Sequence, residues 1–418
     1  MTKKKMAIIG TGIAGMSAGY FLHEDYDITV FERNDYVGGH SNTISLKSPE
    51  EVSFDTGFMV FNHVTYPYLI SLFKKLNVEI KKSDMSFSVQ NKSNGLEYSG
   101  SSLNHLFSQR KNFFKIEYYK FLYEINRFNK TATSFLKEDI GLSIGEFIEK
   151  EKYSKKFLEN YLIPMSSAVW STPPKKMLNF PIKTLVQFFY NHGFLGLDTQ
   201  HQWYTVVGGS KEYCKKLTGP FSEAIKTGQA VRGVSQLEDG RIKIKTDQSE
   251  ETFDKAIMAC HGDESLKLLE NPSDLQLKLL SAFRYEKNMA TIHTDESLMP
   301  EKKLAWSSWN YLFDKVNGEM DATTIYYMNR LQGVSDKNNF FISINGESKI
   351  NPEKIIKKIE YHHPLFDIEA VKTQKELPSI NENTNLYFTG SYFRYGFHED
   401  GLLSSVNLCE KILGRSVL

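Results

Sequence analysis

Gly10, Gly12 and Gly15 follow the apolar run Met6-Ala7-Ile8-Ile9 at the spacing G-x-G-x-x-G. In that arrangement the first glycine permits a tight turn and the second lets backbone approach a pyrophosphate. The third lets the next helix lie close on the strand. A helix from Ile13 to about His23 then points its first N–H groups, at Ile13 and Ala14, and its positive dipole end at the phosphates. Glu32 closes a second strand-like stretch, DITVFE, roughly 20 residues beyond the glycines, where a carboxylate can hydrogen-bond ribose hydroxyls. The same charge repels a 2′-phosphate, which argues against NADP. Strand, loop, helix, strand and acid together read as a dinucleotide site, but NAD and FAD both present an adenosine diphosphate.

The choice between them comes from residues further on. Arg33 follows the acid, and then Gly38-Gly39-His40-Ser41-Asn42-Thr43. A second glycine pair is not required for NAD; it lets another backbone segment approach the longer pyrophosphate and ribityl chain of FAD. Asp55 and Gly57, in FDTGFMVF, close another tight turn. Near the C-terminus, NLYFTGSYFRYGFHEDGLLSSVNLCEKIL reads as a strand, a turn at Gly390-Ser391, a loop, and a helix opening near Gly401-Leu402. A helix N-terminus there offers its positive dipole end to negative charge on a group held beside it. In the loop RYGFHEDGL, Tyr395 and His398 are the candidates to face a substrate. The alternative is that His398 and Glu399 hold the loop, with Asp400 as an N-cap.

Other side chains have two readings each. His192 and Trp170 suit a pocket wall or a packed turn. Trp306, Trp309 and Tyr311 suit a wide apolar cavity or ordinary core. His293 and the pair His362-His363 lack the spacing of a metal set, and no metal is expected. Cys214 reads as a buried, inert thiol.

These segments resemble the flavin family of monoamine oxidase, protoporphyrinogen oxidase and carotenoid desaturases, on G-x-G-x-x-G, the acid, and the GG-x-x-x-T segment. The family usually has an arginine where His40 stands and an acid where Ser391 stands. The resemblance implies two more FAD segments. WYTVVGGSKEYCKKL is similar to the family's mid-chain glycine pair opening a helix. The hairpin and return strand beginning QAVRGV would bring the Val231 backbone to the adenine. Within the family the chain is similar to predicted NAD/FAD-binding, amine-oxidase-like bacterial proteins, in AVWSTPP, NHGFLGL, WYTVVGGSKEY, AWSSWNY and YGFHEDGL. That subgroup is associated with cyclopropane fatty acid synthase, which implies a lipid substrate.

Positioning such scattered turns requires an interleaved architecture. The expected fold class is α/β: a doubly wound Rossmann-like FAD-binding domain interleaved with an α+β substrate domain, a mixed sheet covered by helices. Residues 1–61, 200–265 and 380–418 form the first; 62–199 and 266–379 form the second. YPYLISLFKKLNV and NHLFSQRKNFFKIEYYKFLYEINRFNK make the first insertion mostly helical; runs such as MATIHT and NFFISIN give the second its strands. A chain of 418 residues is long enough for this division.

A net charge of +1 provides no global field for nucleic acid, and no nucleic-acid partner is expected. Three cysteines, far apart, suit a reducing compartment, so a cytoplasmic location is expected. Between Phe107 and Lys130, six Lys and Arg interleave with eight aromatics. Such a helix can lie on an anionic membrane surface, or bury its aromatic side and solvate its lysines. The expected function is FAD-dependent hydride abstraction from a C–H bond of a small-molecule or acyl-lipid substrate carrying cyclopropane, methyl-branched or unsaturated chains. The alternatives are an amine oxidase, with Lys287 or another lysine near the flavin, and a non-catalytic FAD-binding partner of a lipid-modifying methyltransferase. Oligomeric state is left open.

Overall fold

The computed structural model describes residues 2–137, 141–196, 199–316 and 318–418. The motif NHGFLGL therefore runs, at Leu197, outside the described residues.

A five-stranded parallel sheet holds the first glycine motif. Lys5–Ile9 pairs with Asp27–Phe31 on one side and Lys255–Met258 on the other; Ile225–Lys226 and Leu386–Phe388 complete the two edges. The first strand alternates between two cores. Met6 and Ile8 join one, Ala7 and Ile9 the other. Both faces are covered, which is why the strand reads as an unbroken apolar run. The helices Ile13–Leu22 and His398–Leu413 pack on each other, and a Cβ on Gly401 would stand 2.9 Å from Ile13 Cγ2. Every strand of this sheet comes from 1–61, 200–265 or 380–418.

A seven-stranded mixed sheet forms the other body. In spatial order its strands are Ile355–Leu365, Arg284–His293, Phe341–Ile344, Glu319–Tyr327, Trp309–Val316, Phe87–Asn91 and Leu96–Ser99. Only the pairing of Trp309–Val316 with Phe87–Asn91 is parallel. All seven strands come from the two insertions. A small sheet joins the bodies: Trp203–Val206 lies between Phe61–Asn62 and Ile80–Ser83.

Three local expectations are corrected. The first insertion is helical at Pro67–Lys75, as expected, and again from Leu103 onward, but between them it carries strands at 80–83, 87–91 and 96–99. Polar residues in two of those strands find partners, Ser88 on Asn310 at 2.7 Å and the Gln90 amide nitrogen on Glu97 at 3.1 Å, which offsets most of the cost of burying them. The stretch from Asn104 to Lys130 is not one helix but Leu103–Leu106, a 3₁₀ turn Arg110–Phe114, and Ile116–Thr131. Ser108 and Gln109 break it by bonding the backbone of Glu97 and Gly95. Finally, the C-terminal helix opens at His398, before Gly401. Asp400 is therefore inside the first turn, reaching back to accept the Phe397 N–H at 2.9 Å, rather than preceding the helix as its cap.

Candidate active site

A cavity of about 690 Å³ runs between the two bodies. From the nucleotide sheet and its loops it is lined by Gly10, Gly12, Ile13, Ala14, Glu32, Arg33, Gly38, Gly39, His40, Gly57, Val231, Gly390, Ser391, Tyr395, His398 and Gly401. The other body contributes Val169, Trp170, Phe188, Phe194, Trp309 and Tyr326, and Trp203 comes from the joining sheet. Gly15, Ser41, Asp55 and Leu402 do not line it.

The glycines work by close approach. A Cβ on Gly15 would stand 1.9 Å from the Gly10 carbonyl oxygen, so only glycine lets the helix sit this near the turn. Gly38 and Gly39 have φ of +128° and +59°, and a Cβ on Gly39 would stand 3.2 Å from Gly12 Cα. The second glycine pair thus abuts the first. Above Gly12 itself nothing lies within 4 Å of a Cβ position, and no side chain caps the helix that follows. Bare backbone at a helix N-terminus, opening on a cavity, fits a pyrophosphate.

Glu32 is buried and fully engaged. Its Oε2 accepts from the Thr11 N–H (3.0 Å) and hydroxyl (2.5 Å), and its Oε1 from the Asn34 N–H and side-chain amide, each at 2.9 Å. To take a ribose hydroxyl it must exchange one of these donors. The Thr11 hydroxyl also accepts the Gly38 N–H at 3.3 Å, tying the acid to both glycine turns. Sequence reasoning missed Thr11. Arg33 is turned to Glu264, 2.5 Å away.

His40 does not reproduce the fixed charge of the arginine it replaces. Its ring stacks on Tyr361 at 4.9 Å, with His363 at 5.3 Å and His261 at 6.0 Å. Burial and the neighbouring imidazoles hold it well below the usual histidine range, so it is neutral. His363 is likewise pushed down to about 4 by burial. His40 Nε2 is buried without a partner, an orphan that an incoming ligand can satisfy. Nothing in the sequence brought these three rings together.

Ser41 and Asp55 act behind the wall. Ser41 Oγ bonds the Tyr213 hydroxyl, which bonds His398 Nε2 at 2.7 Å, so one tyrosine links the second glycine turn to the C-terminal helix. Asp55 Oδ1 accepts from Thr43 Oγ1 (2.5 Å) and from the Ser210 N–H and hydroxyl (2.8 and 2.6 Å). Its Oδ2 accepts from Gln332 Nε2 at 3.0 Å. Burial raises its carboxyl despite these donors. It fastens the strand before Gly57 to the turn after Gly208-Gly209. Leu402 is core.

His398 lies flat on Phe58 at 3.8 Å, and burial pushes it down to about 3. It is a neutral imidazole with one nitrogen already bonded. Burial raises the Tyr395 phenol, which keeps its proton, and the Tyr395 carbonyl accepts from Trp170 Nε1 at 3.3 Å. Glu399 accepts the N–H groups of Tyr68 and Leu69 at 2.8 and 2.9 Å, capping the helix Pro67–Lys75. His192 stands one layer back, its Nδ1 on the Phe188 carbonyl at 2.9 Å. Trp309 reaches the cavity, whereas Tyr311 is core. His293 pairs with Ser343 at 2.8 Å, far from any catalytic role. The indole N–H groups of Trp203 and Trp309 are buried without partners.

Similarity to known proteins agrees with this architecture. The chain is 39% identical over 79 residues to a 1-hydroxycarotenoid 3,4-desaturase of Flavobacterium, covering 19% of this chain and 15% of that one. It spans about half, or less, of the length of the curated relatives it matches. Two solved structures share the fold over nearly the whole length of both chains. One is a CLA-producing fatty acid isomerase from P. acnes (TM-score 0.70, 14% identity, 98% of this chain and 98% of that one). The other is a cyclohexylamine oxidase from Brevibacterium oxydans (TM-score 0.68, 14% identity, 98% and 100%). The family described as flavin containing amine oxidoreductase matches residues 13–291; the chain belongs to that family, and its cofactor is the flavin, FAD, that this glycine-lined groove fits.

Proposed function

We propose that the protein is an FAD-dependent oxidoreductase that takes a hydride from a C–H bond of a largely apolar substrate, an acyl lipid with a modified or unsaturated chain. Bound FAD supplies the hydride acceptor. Gly10, Gly12, the first turn of Ile13–Leu22, Gly38 and Gly39 would hold its pyrophosphate, and Glu32 its ribose. The opening of His398–Leu413 would place positive dipole where charge develops.

One observation carries the substrate reading. Away from the strand Ile355–Leu365, which brings Glu360 and the His362-His363 pair to the cavity, the wall that the other body and the joining sheet present is mostly aromatic and aliphatic: Val169, Trp170, Phe188, Phe194, Trp203, Trp309 and Tyr326. Such a wall excludes water and buries an apolar chain at ~25 cal/mol per Å². The unpartnered indole N–H groups of Trp203 and Trp309 suit a polar oxygen on an otherwise apolar molecule. The fatty acid isomerase and the carotenoid desaturase, by their names, act on apolar chains.

An amine substrate is the second reading, because aromatic faces also attract an ammonium and a cyclohexylamine oxidase shares the fold. Against it, Lys287 lies outside the cavity, exposed and paired with Glu360 at 2.5 Å. Among the described lining residues the only lysine is Lys267, held by Asp263 at 2.7 Å. Anaerobic mixing tests the choice. Phospholipids with cyclopropane, methyl-branched or unsaturated chains should bleach the flavin absorbance and amines should not. Bleaching by amines alone refutes the lipid reading, and a flavin that nothing reduces favours a non-catalytic role.

A further inference from the structure

The most exposed apolar surface of the described residues lies outside the cavity, in one short stretch. Leu103, Phe113, Phe114, Ile116, Tyr119 and Tyr123 are all exposed, Phe114 at 90% and Ile116 at 74%. The helix Ile116–Thr131 carries two apolar stripes. Tyr118, Phe121 and Phe128 face the core; Ile116, Tyr119 and Tyr123, at i, i+3 and i+7, face outward. A helix on an ordinary surface puts polar residues on that second face.

Charge says what covers it. Arg110, Lys111, Lys115 and Lys120 are exposed among these rings. The nearby acids are neutralised or turned away: Glu117 pairs with Lys120 at 3.2 Å, and Glu124 accepts the Ser154 N–H at 2.7 Å. Among the described residues Arg110 bonds only neutral groups, the carbonyls of Asn104 and Phe107 and the Asn104 side chain. Aromatic rings with a cationic rim match the interface of an anionic bilayer. No described helix is long and apolar enough to cross a membrane, so the contact is with its surface.

Depth supports the same assignment. The buried stripe, Tyr118 and Phe121, packs in one cluster with Ala168, Tyr311 and the edge of Trp309. Trp309 and Val169, next to Ala168, line the cavity. One hydrophobic cluster therefore runs from beneath the exposed rings to the cavity wall.

We propose that the face from Leu103 to Tyr123 docks the protein on an anionic lipid bilayer, with the rings in the interfacial layer and the lysines on the headgroups. Docking does not depend on the substrate proposed above: an amine oxidase with this face would dock equally. The test is co-sedimentation of the flavin-loaded protein with vesicles of phosphatidylglycerol and phosphatidylcholine, and with phosphatidylcholine alone. The wild type should bind the anionic vesicles and be released by salt. F114E/I116E, both sites being exposed, should keep the wild-type unfolding temperature and flavin content while its partitioning falls by about tenfold or more. K111E/K115E should weaken binding by about fivefold or more per lysine at low salt. The proposal is overturned if the wild type binds neither vesicle, or if F114E/I116E binds as the wild type does. It is equally overturned if the patch instead mediates a concentration-dependent dimer that F114E/I116E abolishes, with no vesicle binding.

Discussion

Glu399 carries the most specific consequence of this architecture. It is 4% exposed, and both carboxylate oxygens are occupied by backbone N–H groups of the helix Pro67–Lys75, at Tyr68 and Leu69. Burial outweighs those two donors and pushes the carboxyl up to about 7 from an ordinary 4.5. A raised carboxyl binds its proton more tightly when folded. Its contribution to stability is therefore present below the unfolded value and lost as pH rises through the folded one. Each pKa step is worth about 1.36 kcal/mol, so ionising Glu399 costs the folded chain about 3 kcal/mol across that window. Other groups titrate nearby, including Asp400 at about 6 and the buried histidines, so total stability does not isolate the effect. The difference between wild type and Glu399→Gln does. At low pH the variant should be weaker by about 1–3 kcal/mol, because the amide nitrogen cannot accept one of the two N–H groups. As pH rises, the wild type loses its advantage by about 3 kcal/mol and the two stabilities converge or cross. Urea unfolding followed by tryptophan fluorescence, repeated through that pH range with FAD present throughout, measures this. A difference that stays constant with pH, or grows with it, refutes the reasoning.

Further outcomes follow from the nucleotide groove and its supports. Gly15→Ala places a methyl 1.9 Å from the Gly10 carbonyl oxygen, so the turn must open. Protein purified by gel filtration should then carry little flavin and be destabilised by about 1–3 kcal/mol. Glu32→Ala leaves four donors, two on Thr11 and two on Asn34, without their acceptor. FAD affinity by fluorescence titration should fall by about tenfold or more. Tyr213→Phe removes the hydroxyl between Ser41 and His398 and should cost about 1–3 kcal/mol in urea unfolding, since the buried Ser41 hydroxyl and His398 Nε2 both lose this partner.

Local rules explain why much of the groove was legible. Glycine at 10, 12 and 15, an acid closing the next strand, and a second glycine pair are each demanded by backbone geometry or by charge. Their spacing survives in the linear chain. The interleaving of two sheets followed from where those motifs fall. The strands at 80–99 were less legible: Ser88, Gln90 and Glu97 look unsuited to a buried sheet until the polar partners they meet are known.

What the sequence alone determined is the dinucleotide groove and the family it belongs to, because a phosphate-binding turn is built from consecutive residues whose conformational needs are written in their types. Only the tertiary structure decided the rest. The meeting of His40, His261 and His363, the Ser41–Tyr213–His398 chain, and the capping of the helix at Tyr68 by Glu399 each join residues far apart in the chain. The protonation of those groups depends on how much water folding removes from around them. Burial is a property of the packed assembly, and no single segment carries it.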